Sequence, residues 1–376
     1  MSEVGNFGGR RGDIRKILLM TVSALALSAS SLSAAEDGDD SHPVLWIELG
    51  GQFEAVTDPQ EPYAPVFTSV AVAHGYQSPT VIQRSSRYNY GAESAISFTP
   101  EDSDWEFSAS VRIGRSRTAG RYHRQTPAPK TPNPFCAHTQ YCQPYFTLNK
   151  SFATENNTSK FQQNMTVVDF QAGRDVGLGV PSKSRSTVSL GVRYAQFGTS
   201  SSLNDNAMPY PHWGKLYISA IHASFPVGIV NQYYVTGEVT RSFIGVGPSL
   251  SWKSSLPLTE SHARTAQLML DWQADGAVLF GRQKASGHFH TKDVFRDLKY
   301  TGTHYSNGSI HRAHAVVVPN VGGQAALTLN FSSAKVSLGY RGDFFFGAMD
   351  GGVDKRKSET VGFYGPFATI SIGMGG

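Results

Sequence analysis

Residues 335–348 read Lys-Val-Ser-Leu-Gly-Tyr-Arg-Gly-Asp-Phe-Phe-Phe-Gly-Ala, and this stretch decides the fold. Every second residue, Val336, Leu338, Tyr340, Gly342, Phe344 and Phe346, falls on one face. Lys335, Ser337, Gly339, Arg341 and Asp343 fall on the other. A period of two is that of a β-strand. A soluble sandwich would turn such charges to water and the apolar face to a shared core. Here the pattern recurs along the chain with aromatics near the strand ends, as a membrane-spanning barrel requires: lipid lies outside, water or polar side chains inside.

Outward from that stretch, alternation marks ten segments long enough to cross a membrane, each needing about 9–11 tilted residues. They lie near 44–54, 87–98, 104–114, 163–174, 186–198, 242–253, 265–282, 314–331, 335–348 and 360–374. Their connections alternate in length. Thr99–Ser103, Asp175–Arg185, Ser254–Arg264 and Ser332–Ala334 are short, whereas 55–86, 115–162, 199–241, 283–313 and the more modest 349–359 are long. Outer-membrane barrels have short periplasmic turns, long external loops and an even strand number. The expected fold is therefore an all-β, transmembrane, antiparallel up-and-down barrel of ten strands. Leu216–Phe225 and Tyr233–Val239 also look strand-like and are assigned to a hairpin rising from the third external loop. Were they to span, the barrel would have twelve strands.

Sorting the faces names the interior. Trp105, Phe107, Ala109, Val111 and Ile113 face lipid against Glu106, Ser108, Ser110 and Arg112. Val188, Leu190, Val192 and Tyr194 face lipid against Ser189, Gly191 and Arg193. A slip of one residue would expose each lumen charge to hydrocarbon, so the register is strongly specified. The expected pore-lining set is Glu48, Glu106, Arg112, Asp169, Arg193, Asp271, Asp275, Lys335, Arg341 and Asp343, with Glu54, Glu93 and Arg87 on the same face. Two readings stand. Opposed acids and bases set the transverse field of a polar conduit, or they neutralise one another as a salt-bridged plug in a barrel only somewhat wider than the eight-stranded kind that side chains fill.

Arg10, Arg11, Arg15 and Lys16, the apolar run from Ile17 to Leu27, and Ser33-Ala34-Ala35 read as a secretory signal peptide over residues 1–35. Residues 36–376 then form one barrel domain. No later run of ~18 apolar residues marks a membrane helix. The low charge (16% Asp, Glu, Lys and Arg), the 11% aromatics and the 38 glycines suit a barrel. A net charge of +4 is too weak to argue for nucleic acid. Cys136 and Cys142 are the only cysteines, and export favours a disulfide between them. A metal clip with His138 would leave a zinc site incomplete.

Gly191-Val192-Arg193-Tyr194-Ala195-Gln196-Phe197 and Phe243-Ile244-Gly245-Val246-Gly247-Pro248 resemble strands of the Legionella-type major outer membrane protein family. Gly339-Tyr340-Arg341 and Asp271-Trp272…Leu279-Phe280-Gly281 fit it loosely, so the resemblance spans about 165–348. It implies a pore-forming barrel in the bacterial outer membrane. Its partners would be outer-membrane lipid and small hydrophilic solutes or ions, with self-association left open. The alternative is a non-conducting structural or adhesive barrel acting through its external loops.

His288, His290, His304, His311 and His314 cluster in the fourth external loop, where metal binding competes with a dispensable surface loop. Asp271, Asp275 and His288 are the candidates for hydrolytic chemistry at a barrel mouth, yet no nucleophile elbow, zinc helix or phosphate loop accompanies them. The expectation is a protein that is not an enzyme and has no cofactor.

Overall fold

The computed structural model describes residues 45–57, 61–62, 81–82, 89–100, 103–127, 131–132, 145–146, 152–177, 185–208, 212–218, 223–259, 266–296 and 301–374. Ten antiparallel strands form a closed ring: β1 (Leu45–Val56), β2 (Asn89–Phe98), β3 (Trp105–Pro127), β4 (Phe152–Asp175), β5 (Arg185–Met208), β6 (Ala223–Pro257), β7 (Gln267–Arg296), β8 (Thr301–Asn330), β9 (Ala334–Asp350) and β10 (Ser358–Met374). Each strand pairs with its neighbours in sequence, and β1 pairs with β10 from Leu45↔Met374 to Val56↔Phe363. Closure satisfies every edge that lipid would otherwise leave without hydrogen bonds.

The faces separate by parity. On β9, Val336, Leu338, Tyr340, Phe344 and Phe346 are exposed while Arg341, Asp343 and Phe345 are buried. Val336 to Phe346 covers about 25 Å at the tilt of barrel strands, the height of an outer-membrane apolar band. Trp105, Trp252 and Trp272 ring its lower edge, with Trp252 and Trp272 edge to face at 4.6 Å. Phe53 and Tyr90 sit at its upper edge, edge to face at 5.2 Å. Such girdles suit aromatic rings, which place an apolar body in lipid and a polar rim near headgroups.

The short turns lie at the lower edge. Phe331 N–H donates to Ala334 O at 2.8 Å, Val176 N–H to Ser186 O and Leu258 N–H to Leu268 O. The opposite ends differ from expectation. Much of 115–162, 199–241 and 283–313 is strand rather than loop, because β3 to β8 continue above the band in unbroken register. β6 alone runs for 35 residues. Above the band, water replaces lipid on the outer face, so Ser, Thr, Asn and Gln substitute for apolar residues without ending the ladder.

The hairpin of the third loop is also redrawn. Leu216–Phe225 is not a single arm: His212–Ile218 pairs with Ala223–Ile229, so Leu216 stands opposite Phe225. Tyr233–Val239, however, belongs to the barrel wall, paired on one side with β5 (Tyr233↔Ala207) and on the other with β7 (Tyr233↔Asp293). The ring therefore keeps ten strands. In sealed cells, added protease should cut only within 55–86, 115–162, 199–241, 283–313 or 349–359, read by peptide mapping. Cleavage at Ser332–Ala334 would invert this topology.

Candidate functional site in the barrel lumen

Near the periplasmic end the inward face is polar and half-buried. Ser371 Oγ donates to Glu48 Oε2 at 2.9 Å, Ser255 Oγ donates to Asp271 Oδ1 at 2.6 Å, and Thr328 bridges Asp271 and Ser337. Lys253 Nζ stands 3.9 Å from Glu106. Lys335 lies over the Trp46 ring at 4.0 Å, a cation–π contact at the mouth.

One layer higher, three arginines meet the acids of facing strands. Arg193 on β5 is the hub. It donates from Nε to Asp169 of β4 at 2.7 Å and from Nη1 to Asp275 of β7 at 2.6 Å, with Asn320 of β8 accepting as well. Asp169 and Arg193 are direct cross-strand partners, so the ladder itself presents that pair. Asp343 on β9 reaches across to Arg112 on β3, four strands away around the ring, and stands 3.7 Å from Arg193. Glu54 approaches Arg112 at 3.7 Å. Arg341 pairs with Glu93 of β2 at 2.8 Å, donates to Gln324 and Gln52, and covers the Phe367 ring. Gly322 makes room: a Cβ there would stand 2.1 Å from one Asp343 oxygen and 2.8 Å from Asp275. A guanidinium fork suits this packing because it addresses several carboxylates at once in fixed geometry.

Above the charges lies an apolar septum. Phe197 (β5), Phe243 (β6), Phe345 (β9) and Phe363 (β10) are almost fully buried, with Met165, Val167, Leu279 and Val318 around them. Phe197 stands 5.1 Å from Phe243, 5.0 Å from Phe345 and 5.7 Å from Phe363, measured between ring centres. β10 is diametrically opposite β5 in the ring, so the walls meet through these rings. Gly245 and Gly281, paired across β6 and β7, clear the space for Phe243: a Cβ at either would come within 2.8 Å of its ring.

The last external turn folds inward over the septum. Arg312 binds Asp350 from Nε at 2.8 Å and donates to the carbonyls of Val353 and Gly352. Arg241 donates to Gly351 O at 3.4 Å. Val353 packs on a second inward cluster of Leu203, Tyr233, Val235, Val239, Ala285, Phe289 and Ile310. Burial pushes the Asp350 carboxyl up, but hydrogen bonds from Arg312 and from the Lys357 and Gly352 N–H groups outweigh it and hold its pKa below the ordinary range.

Every residue of the expected pore-lining set falls on the inward face. Arg112, Arg193, Arg341, Asp169, Asp275 and Asp343 converge, whereas Glu48, Glu106, Asp271 and Lys335 stay apart in the lower layer. Asp271 and Asp275 do not meet His288. They point inward and it points out, and 13 residues of extended chain put Asp275 and His288 roughly 40 Å apart. His288 and His290 share the outward face of β7, on a strand rather than the expected loop. No three His, Cys, Asp or Glu among the described residues are placed to hold a metal. Cys136, Cys142, Arg87 and residues 1–35 lie outside the described residues. Charge-led reading overlooked the four septum phenylalanines, though parity marks them: Phe197 continues the inward series of Arg193, and Phe345 that of Asp343.

Over residues 88–374 the chain matches the model of the Legionella pneumophila major outer membrane protein precursor family. The chain belongs to that family. The family and the closed antiparallel ring place the protein in the bacterial outer membrane. A comparison with curated proteins gives no match. Among solved structures, the transport unit of the autotransporter AIDA-I from Escherichia coli is 8% identical with a TM-score of 0.21, over 94% of this chain and 98% of that one. The P. putida toluene transporter TodX is 9% identical with a TM-score of 0.21, over 91% of both chains. OmpT of Vibrio cholerae is 9% identical with a TM-score of 0.14, over 90% and 99%. With so little superposition these likenesses carry no argument about what this barrel does.

Proposed function

We propose that the protein is an outer-membrane barrel closed to solutes at rest, a structural barrel working through its tall external strands and without a catalytic step. The observation that supports this most directly is the set of contacts across the lumen: Asp343 on β9 with Arg112 on β3, backed by Phe197 against Phe363. Opening would require these charges to part while buried, and breaking a buried pair costs about 3–5 kcal/mol. The separation of Asp271 and Asp275 from His288 supports the absence of general acid–base work, which needs groups within hydrogen-bond reach.

A diffusion pore for small hydrophilic solutes or ions is the second reading. Family membership favours it, as does the half-buried polar layer of Glu48, Glu106, Asp271 and Lys335 at the periplasmic mouth. Planar-bilayer recordings of purified, heat-modifiable protein separate the two. The closed barrel is expected to give no steady channels at high protein load. Reproducible wild-type channels whose ion selectivity shifts on Asp271→Asn would overturn it in favour of the pore.

A further inference from the structure

The outward face changes character at one height. On β3 the lipid-facing series Trp105, Phe107, Ala109, Val111, Ile113 is followed directly by Arg115 and Arg117, then by Arg121. On β7, around the ring, Val278 and Phe280 are followed directly by Arg282 and Lys284. Lys160 of β4 lies opposite Ala119, diagonal to both Arg117 and Arg121. All six cations are exposed, and none has an ion-pair partner among the described residues. At the lower rim the pattern differs, since exposed Arg174 is paired with Asp104 at 3.3 Å. Glu238, the outward acid at the upper level, sits two strands from Lys160, by way of Ser202.

We propose that this upper rim binds a phosphorylated lipid headgroup of the outer leaflet, with Arg117, Arg121 and Lys160 as the main site and Arg282 with Lys284 as a second. Diagonal neighbours on adjacent strands stand about 7–8 Å apart, so three long side chains converge on one phosphate. Arg115, at the end of the apolar band, keeps its stem in hydrocarbon and its charge at headgroup level, and Arg117, Lys160 and Arg121 continue upward from it into the headgroup layer. Gln162 and Asn164, outward on β4 beside the cluster, add neutral donors suited to the sugar or amide groups around such a phosphate. Anionic lipid is the occupant that matches cations set above a lipid-facing belt and without an ion-pair partner among the described residues.

The test uses the purified full barrel in detergent, with bis-phosphorylated lipid A and its dephosphorylated form as probes and native mass spectrometry as the readout. Wild type is expected to retain the phosphorylated form in a salt-sensitive manner. Arg117→Gln, Arg121→Gln and Lys160→Gln together should weaken retention by about a hundredfold, at roughly 1 kcal/mol per basic residue near a charged surface. Heat-modifiable mobility checks folding, and the separate pair Arg282→Gln with Lys284→Gln should give a smaller loss. Equal retention of the dephosphorylated lipid, or unchanged binding in the triple variant, overturns the proposal. Full competition by millimolar inorganic phosphate assigns the rim to a free anion and likewise overturns the lipid assignment. Conductance plays no part in these measurements, so their outcome is independent of whether the lumen is open.

Discussion

Replacing Arg193 with alanine should lower the unfolding free energy of the barrel by about 3–5 kcal/mol, the range found when one partner of a buried ion pair is removed. The substitution strands Asp169 and Asp275, which Arg193 addresses at 2.7 and 2.6 Å, and leaves Asp343 with Arg112 alone, in a layer capped by the phenylalanine septum. Urea-driven unfolding in micelles, followed by heat-modifiable mobility and intrinsic fluorescence, reads the loss. Arg193→Lys should fall between wild type and alanine, since it keeps the charge but lacks the fork. A loss below about 1 kcal/mol for alanine, the scale of solvent-exposed pairs, would mean that water reaches these carboxylates. That result would count against a closed lumen as well as against the strut role.

Tyr340→Arg should be destabilising by about 2–4 kcal/mol, as for arginine on the lipid face of an outer-membrane barrel near the midplane. Tyr340 stands next to the centre of the outward series Val336 to Phe346 and is 53% exposed in the isolated chain. Thr236→Arg, on the outward face of β6 but above the band, is the control and should change stability by no more than about 0.5 kcal/mol. Folding into bilayers of fixed thickness, followed by urea titration, measures both. If the two substitutions cost the same, the belt identified from parity does not lie in hydrocarbon.

How much of this was legible beforehand depends on the range of the interaction. Arg193 and Asp343 could be placed on the inner face from alternation alone, and the ring bears that placement out. Their roles could not be read, because Asp343 finds Arg112 only after 231 residues of chain have closed into a ring. The upper strands were underestimated for a different reason. Lipid-facing alternation disappears once the outer face meets water, so 199–208 and 283–296 look like loop in composition while still pairing as strand. Tyr233–Val239 shows the same limit: its alternation was visible, but whether it stood in the wall or in a protruding hairpin was set by pairing with β5.

Sequence alone determined the strand period, the even strand number, and which side chains face lipid. All of these follow from local backbone geometry and from the high cost of charge in hydrocarbon. The tertiary structure decided that the inward charges pair across the lumen, that Phe197, Phe243, Phe345 and Phe363 meet above them, and that the turn after Asp350 is drawn inward by Arg312. Those contacts depend on the radius and stagger of the closed ring, which arise only when β1 meets β10, and no local pattern in the chain encodes which opposing residues then share a level.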